Sequence, residues 1–197
     1  MRIGVLAIQG AFAEHIHSLS RLNIEAVPVR LPADLNGLDA LIIPGGESTT
    51  ISTLLSEYHL TEPLQQRAAE GFPLFGTCSG LILLAKNVTN RKVNSLGVMD
   101  IEVERNAFGR QVDSFETDLT VSRFGDGPFH GIFIRAPIIT RVEPAVEILS
   151  SLNGNAVAVR QGRSLACSFH PELTDDLRFH RYFIDLITGD VLAEGSN

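Results

Sequence analysis

Lysine is nearly missing from this sequence. It stands only at Lys86 and Lys92, and arginine supplies the other 14 of 16 basic residues. Against 23 acidic residues the formal charge is −7, and no run of Lys or Arg occurs. The chain therefore lacks the footprint of a phosphate-backbone binder, and no nucleic-acid partner is expected. Cysteine is also scarce. Cys78 and Cys167 cannot build a disulfide framework, and neither lies in a Cys-x-x-Cys pair. A reducing compartment, the cytoplasm, is the expectation. No 18-residue apolar stretch exists, so no membrane span is expected. The apolar run Ile3–Ile8 ends at Gln9-Gly10. It is shorter than the ~7–15 residues of a secretory leader and reads as a buried first strand. His15, His17, His59, His130 and His180 show no metal-ligand spacing, so neither a metal nor a cofactor is expected.

What is present is an ordinary globular composition. The 197 residues are 44% apolar and 20% charged, enough to bury about 70% of the unfolded surface in one core. Repeats, low-complexity tracts and linkers are absent, which predicts one domain over 1–197 with a frayed tail from about 187.

The first half alternates strand and helix. Strands are expected at Ile3–Ile8, Ile24–Val29, Leu38–Ile43 and Pro73–Gly76. Pro28 marks the second as an edge or a strand end. Phe12, Ile16, Leu19 and Leu22 recur on one helical face, and further helices are expected at Thr49–Glu57, Glu62–Glu70 and Ser79–Ala85. This rhythm predicts βαβ units and a doubly wound, mostly parallel sheet. After about Val93 the chain turns β-rich, with strands expected at Ile101–Glu104, Phe115–Ser122, Ile132–Arg135, Val146–Leu152, Ala156–Gln161 and Leu165–Phe169. These read as partly antiparallel and lying at one sheet edge. Asp175–Leu186 reads as a closing helix.

Three junctions carry chemistry. Gly76-Thr77-Cys78-Ser79-Gly80 follows a strand and precedes a helix, the pattern of a nucleophile elbow with Cys in place of Ser. A sharp turn there exposes the side chain, and the helix N-terminus favours thiolate. The Ser79 N–H can face a developing oxyanion. A buried thiol in a glycine turn is the plainer alternative. In Ser168-Phe169-His170-Pro171-Glu172, Pro171 pushes His170 toward an extended backbone. Residues 170 and 172 then point the same way, which gives a base and its orienter. A loop histidine beside a solvated Glu is the alternative. Pro44-Gly45-Gly46-Glu47 could bring a second oxyanion N–H near a substrate, or be a simple turn. Cys167 reads as a core thiol. Arg105 and Arg135 read either as exposed charges or as carboxylate clamps.

The order Gly-Gly, Gly-x-Cys-x-Gly, His-Pro-Glu resembles the class I (triad) glutamine amidotransferases. The longer runs Gly4–Gly10, Glu14-His15, Gly45–Thr50, Arg105–Gln111, Phe133–Pro137 and Phe169–Thr174 are similar to the branch that supplies the glutaminase subunit of pyridoxal 5′-phosphate synthase. Many amidotransferases follow the elbow with His-Gln, where this chain has Leu81-Ile82. The resemblance implies a three-layer, flavodoxin-like α/β sandwich and hydrolysis of L-glutamine to glutamate and ammonia. It implies Cys78 as nucleophile, His170 as acid/base and Glu172 as orienter, with the N–H groups of Gly46 and Ser79 as oxyanion hole. Gly46, Glu47, Ser48, Arg105, Ile134 and Arg135 would hold glutamine. Gln9, Gly10, Glu14 and His15 would lie against a (β/α)8-barrel synthase subunit, in a twelve-plus-twelve complex whose glutaminase is largely idle alone. A peptidase or small-amide hydrolase using the same triad competes with this reading, as does a binding module with a fossil site. An α/β-hydrolase is less apt, because its acid precedes the His on a separate loop whereas Glu172 follows His170 by two.

Overall fold

The computed structural model describes residues 1–89, 93–105, 114–125 and 127–190. The chain opens with strand β1 (Arg2–Leu6), helix α1 (Phe12–Arg21) and strand β2 (Glu25–Val29). After a 3-10 turn at Pro32–Leu35 come β3 (Ala40–Ile43), α2 (Ser48–Glu57), α3 (Thr61–Ala69), β4 (Leu74–Thr77) and α4 (Ser79–Leu84). Eight strands follow: β5 (Ala85–Thr89), β6 (Met99–Glu104), β7 (Ser114–Leu119), β8 (Phe129–Ile134), β9 (Ile138–Val142), β10 (Glu147–Leu152), β11 (Asn155–Gln161) and β12 (Ser164–Cys167). A second 3-10 turn, Pro171–Leu173, leads to α5 (Arg178–Thr188).

Ten strands form one sheet in the order β2-β1-β3-β4-β12-β11-β9-β6-β5, with β10 paired to β11. From β2 to β12 every pairing is parallel. Strands β3, β4 and β12 are buried at every position, which is why they read as unbroken apolar or small-residue runs: helices or strands cover both faces. Alternate residues divide between two cores. Leu41, Ile43 and Leu74 join Ile51, Leu64 and Leu81 from α2–α4 on one face. Ala40, Ile42 and Phe75 join Leu19 of α1 and Phe179 and Phe183 of α5 on the other. Pro28 lies in the edge strand β2, where a missing N–H costs no ladder bond.

Beyond β12 the sheet continues through antiparallel pairings to β11 and β9, and from β9 to β6, before β5 closes the far edge with a parallel pairing to β6. The β-rich half therefore does lie at one edge, as an extension of the sheet. Only β7 and β8 form a separate antiparallel pair. Phe129 of β8 and Phe169 pack on Phe179 at centroid distances of 4.8 and 5.1 Å, edge to face, the arrangement ring quadrupoles favour.

Several boundaries differ from expectation. β1 stops at Leu6, β7 at Leu119 and β8 at Ile134, before Arg135 takes φ 43°. β5 begins where helix α4 ends, and β9 was not among the expected strands. Helix α5 begins at Arg178, not Asp175, because Asp176 turns its carboxylate back onto the Arg178 N–H at 3.0 Å. The same helix runs on to Thr188, two residues past the expected Leu186; residues 191–197 lie outside the described residues, as does the 106–111 part of the family-like run.

Candidate active site

The three chemical junctions meet because their strands are neighbours. β3, β4 and β12 lie side by side and parallel, with Ile43 opposite Gly76 and Thr77 opposite Cys167. Their carboxyl ends therefore share one edge, where Gly45-Gly46, Cys78 and His170 emerge. Active sites of open α/β sheets collect at this edge.

Cys78 takes φ 49°, a left-handed backbone that L-residues adopt only when their surroundings impose it. Its N–H donates to the Cys167 carbonyl at 2.8 Å, so the turn is pinned to β12. A Cβ at Gly76 would stand 2.8 Å from the Leu81 N, so only glycine lets strand and helix pass this closely. The thiol faces a cleft of about 340 Å³, with the Ile134 carbonyl 3.8 Å from Sγ. Cys167 is fully buried, and burial pushes its thiol pKa well up.

His170 is held by its backbone N–H, which donates to Ile132 O of β8 at 2.9 Å. Its Nδ1 lies 2.7 Å from Glu172 Oε1, and both side chains are buried. Burial disfavours the imidazolium, yet the hydrogen bonds with Cys78 and Glu172 hold the His170 pKa up at about 10. The loop-histidine alternative fails on burial: Glu172 is 6% exposed. A Cβ at Gly45 would stand 2.9 Å from His170 Nδ1 and 3.3 Å from Cys78 Cβ. Gly45 thus sits against both Cys78 and His170, and the double glycine is more than a turn.

The cleft is lined by Gly46, Glu47, Ser48, Ser79, Arg105, Ile134 and Arg135, together with Gln9 and Gly10. The Ser79 hydroxyl donates to the Gly46 carbonyl. The Gly45 carbonyl accepts from the Ala11 N–H at 2.9 Å, so the Gly46 N–H lies on the opposite edge of that peptide plane. Glu47 caps α2, accepting from the Thr50 N–H at 2.7 Å, and accepts from Arg105 Nη2 at 2.8 Å. Its pKa falls to about 2: burial opposes the charge, but the Thr50 and Thr49 hydrogen bonds and Arg105 outweigh it. The Arg105 side chain is 10% exposed and its Nη1 donates to Thr49 Oγ1, which removes the exposed-charge reading for that residue. Arg135 is exposed at the cleft. Ser48 Oγ is buried with no hydrogen-bond partner among the described residues.

The N-terminal residues do not behave alike. Gln9 Oε1 accepts from the Glu47 N–H at 2.8 Å, and Glu14 is exposed. His15 has no exposed surface, so its side chain cannot meet a partner as expected. It lies on the inward face of α1 and turns toward Glu172.

A profile of the SNO glutamine amidotransferase family matches residues 5–188. The chain belongs to that family. This amidotransferase is 57% identical over 190 residues to "Pyridoxal 5′-phosphate synthase subunit PdxT" of Herpetosiphon aurantiacus, covering 94% of this chain and 100% of that one. It is 53% identical over 187 residues to the protein of the same name from Carboxydothermus hydrogenoformans, covering 95% and 98%. A crystal structure described as a glutamine amidotransferase superposes with TM-score 0.90 at 54% identity, covering 94% of this chain and 98% of the other. A putative GMP synthase component from Thermoplasma acidophilum shares the fold alone, at TM-score 0.70 and 17% identity over 98% and 97% of the two chains. The amidotransferase has no helix, among the described residues, long and apolar enough to cross a membrane. Nor do those residues include three His, Cys, Asp or Glu placed to hold a metal ion.

Ile82, noted from the sequence only as part of the pair replacing His-Gln, also lines the cleft, as do Ala11 and Leu173. Ile82 lies three residues after Ser79, one helical turn on, and that spacing could have found it.

Proposed function

We propose that Cys78, His170 and Glu172 carry out the glutaminase reaction of this chain, supplying ammonia to a pyridoxal 5′-phosphate synthase. The observation that carries this reading is that Gly45 lies against both Cys78 and His170, while Glu172 Oε1 stands 2.7 Å from His170 Nδ1. His170 takes the proton of the Cys78 thiol. The sulfur attacks the side-chain amide carbon of glutamine. The carbonyl electrons move onto oxygen, and the N–H groups of Ser79 and Gly46 receive the oxyanion, worth about 3–4 kcal/mol each by analogy with oxyanion-hole deletions. His170 gives its proton to the departing nitrogen, and ammonia leaves a thioester on Cys78. His170 then takes a proton from water, whose oxygen attacks the thioester. Glutamate leaves, and the thiol is restored.

Arg105 and Arg135 suit the substrate α-carboxylate, because a guanidinium fork grips it with two hydrogen bonds. The Ser48 hydroxyl, unpartnered among the described residues, the Glu47 carboxylate and the Ile134 backbone supply further polar contacts in the same cleft. One domain over 1–197 serves the whole reaction. The name of the relatives supports a synthase partner; we take it to be a (β/α)8 barrel in a twelve-plus-twelve assembly. The segment Gln9–Glu14 beside the cleft is where it docks. Two free thiols suit the cytoplasm.

The test is glutamate release from glutamine by this chain, alone and with its synthase subunit. A large rise on mixing, lost in Cys78→Ala, is expected. Undiminished turnover in Cys78→Ala overturns the mechanism.

A further inference from the structure

Behind the triad lies a second row of side chains that the mechanism does not use. Glu172 presents Oε1 to His170, but its buried Oε2 has no hydrogen-bond partner among the described residues. His15 Nε2 stands 3.4 Å from that oxygen and 3.1 Å from Thr77 Oγ1. On the other side of the ring, His15 Nδ1 lies 3.0 Å from His180 Nε2 of α5. Both imidazoles are fully buried, and the Phe75 ring packs edge-on against each.

The tautomers follow from the partners. Among the described residues, His180 Nδ1 is buried without a partner. A proton there would be a donor left unmade, so the proton belongs on Nε2 and is donated to His15 Nδ1. His15 must then carry its own proton on Nε2, facing Thr77 Oγ1 and Glu172 Oε2. The reverse arrangement would aim a lone pair at a carboxylate oxygen. Burial pushes the His15 pKa well down, helped by His180 and His170, and lowers that of His180 to about 4. The row is therefore uncharged, with the His180 N–H directed at His15 and the His15 N–H at Thr77 and Glu172.

We propose that His15, backed by His180, is a positioning residue for the glutaminase reaction, its Nε2 edge facing the second oxygen of Glu172 at 3.4 Å so that the first stays aligned on His170. This rests on Glu172 being the orienter of His170, as proposed above. A neutral donor fits this role, since it stabilises the carboxylate without offering a competing cation that would draw it away from the imidazole.

The experiment is steady-state glutaminase kinetics in the presence of the synthase subunit. His15→Leu is expected to lower kcat about tenfold with KM for glutamine within about twofold. His15→Gln, whose amide N–H reaches the same place, restores most of the loss. In a Glu172→Gln background His15→Leu costs less than about twofold, because the group it acts through is already impaired. Where His15→Leu does not fold, His180→Leu takes its place in the same cycle, with an expected loss of about two- to threefold that also vanishes in Glu172→Gln. A folded His15→Leu with unchanged kcat, or an equal penalty in both backgrounds, overturns the inference. Inactive Cys78→Ala with unaffected His15→Leu would overturn it and leave the triad standing, whereas active Cys78→Ala would strike the triad itself.

Discussion

The parallel and antiparallel halves of the sheet divide the work of the site unequally. The parallel half, β2 to β12, brings Gly45, Cys78 and, just beyond β12, His170 to one edge, each pinned by backbone hydrogen bonds or by contacts that admit only glycine. The antiparallel half and the β7–β8 pair contribute Arg105, Ile134 and Arg135, from strand ends that are partly buried or exposed. Cys78 and His170 thus follow buried strands covered on both faces, and the two arginines suited to the substrate carboxylate follow strands with an open face, while Glu47 and Ser48 at the head of α2 also line the cleft. A parallel sheet is fixed by its neighbours on every side, and this rigidity is what a nucleophile and base need to hold their alignment.

If that division is real, changes in the parallel half strike turnover and changes in the antiparallel half strike binding. Cys78→Ala should show the largest effect, a fall in kcat of about 10³-fold or more, read as glutamate release in the presence of the synthase subunit. Gly45→Ala comes next. Its methyl would press on His170 and Cys78 at once, and overpacking of this kind costs about 1–3 kcal/mol. We expect kcat to fall by about 10- to 100-fold, because both reactive residues must move, and Tm to drop in a thermal scan. Arg105→Ala should do the opposite: KM for glutamine rises about tenfold while kcat stays within about threefold, the signature of lost uniform binding. A kcat collapse in Arg105→Ala would blur the distinction between halves.

Legibility in the sequence followed the same line. The buried parallel strands announced themselves as short apolar runs, and the elbow and His-Pro-Glu junctions carried their geometry within five residues. Strand β9 escaped because its central residues, Thr140 and Arg141, face outward in an otherwise short run. Arg105 stayed ambiguous because its partners, Glu47 and Thr49, are 58 and 56 residues distant. His15 and His180 were unreadable as a pair for the same reason, with 165 residues between them. A lone histidine on an apolar helical face gives no sign of what it meets. Local chemistry could be read from spacing, whereas contacts made only by folding could not.

Histidines sharpen the comparison once more, through pH. His15 and His180 pack behind the parallel half with depressed pKa values, caused first by burial. Such groups stay neutral in the fold but take protons when unfolded, so acid favours the unfolded chain by up to about 1.4 kcal/mol per pH unit per group below pH 6.5. Tm should therefore fall between pH 7 and pH 5, and His180→Leu should flatten that decline whatever it does to Tm at pH 7. His130, on β8, is the opposite case. Hydrogen bonds to Glu116 and then Asp118 raise its pKa, and the group is exposed. Its contribution is complete below the unfolded value near 6.5 and fades as pH rises through the higher folded value. Solvent screening keeps it small. His130→Gln should lower Tm slightly at pH 6 and not at all at pH 9. An acid-side change in His130→Gln as large as that in His180→Leu would mean that exposure does not separate the two halves.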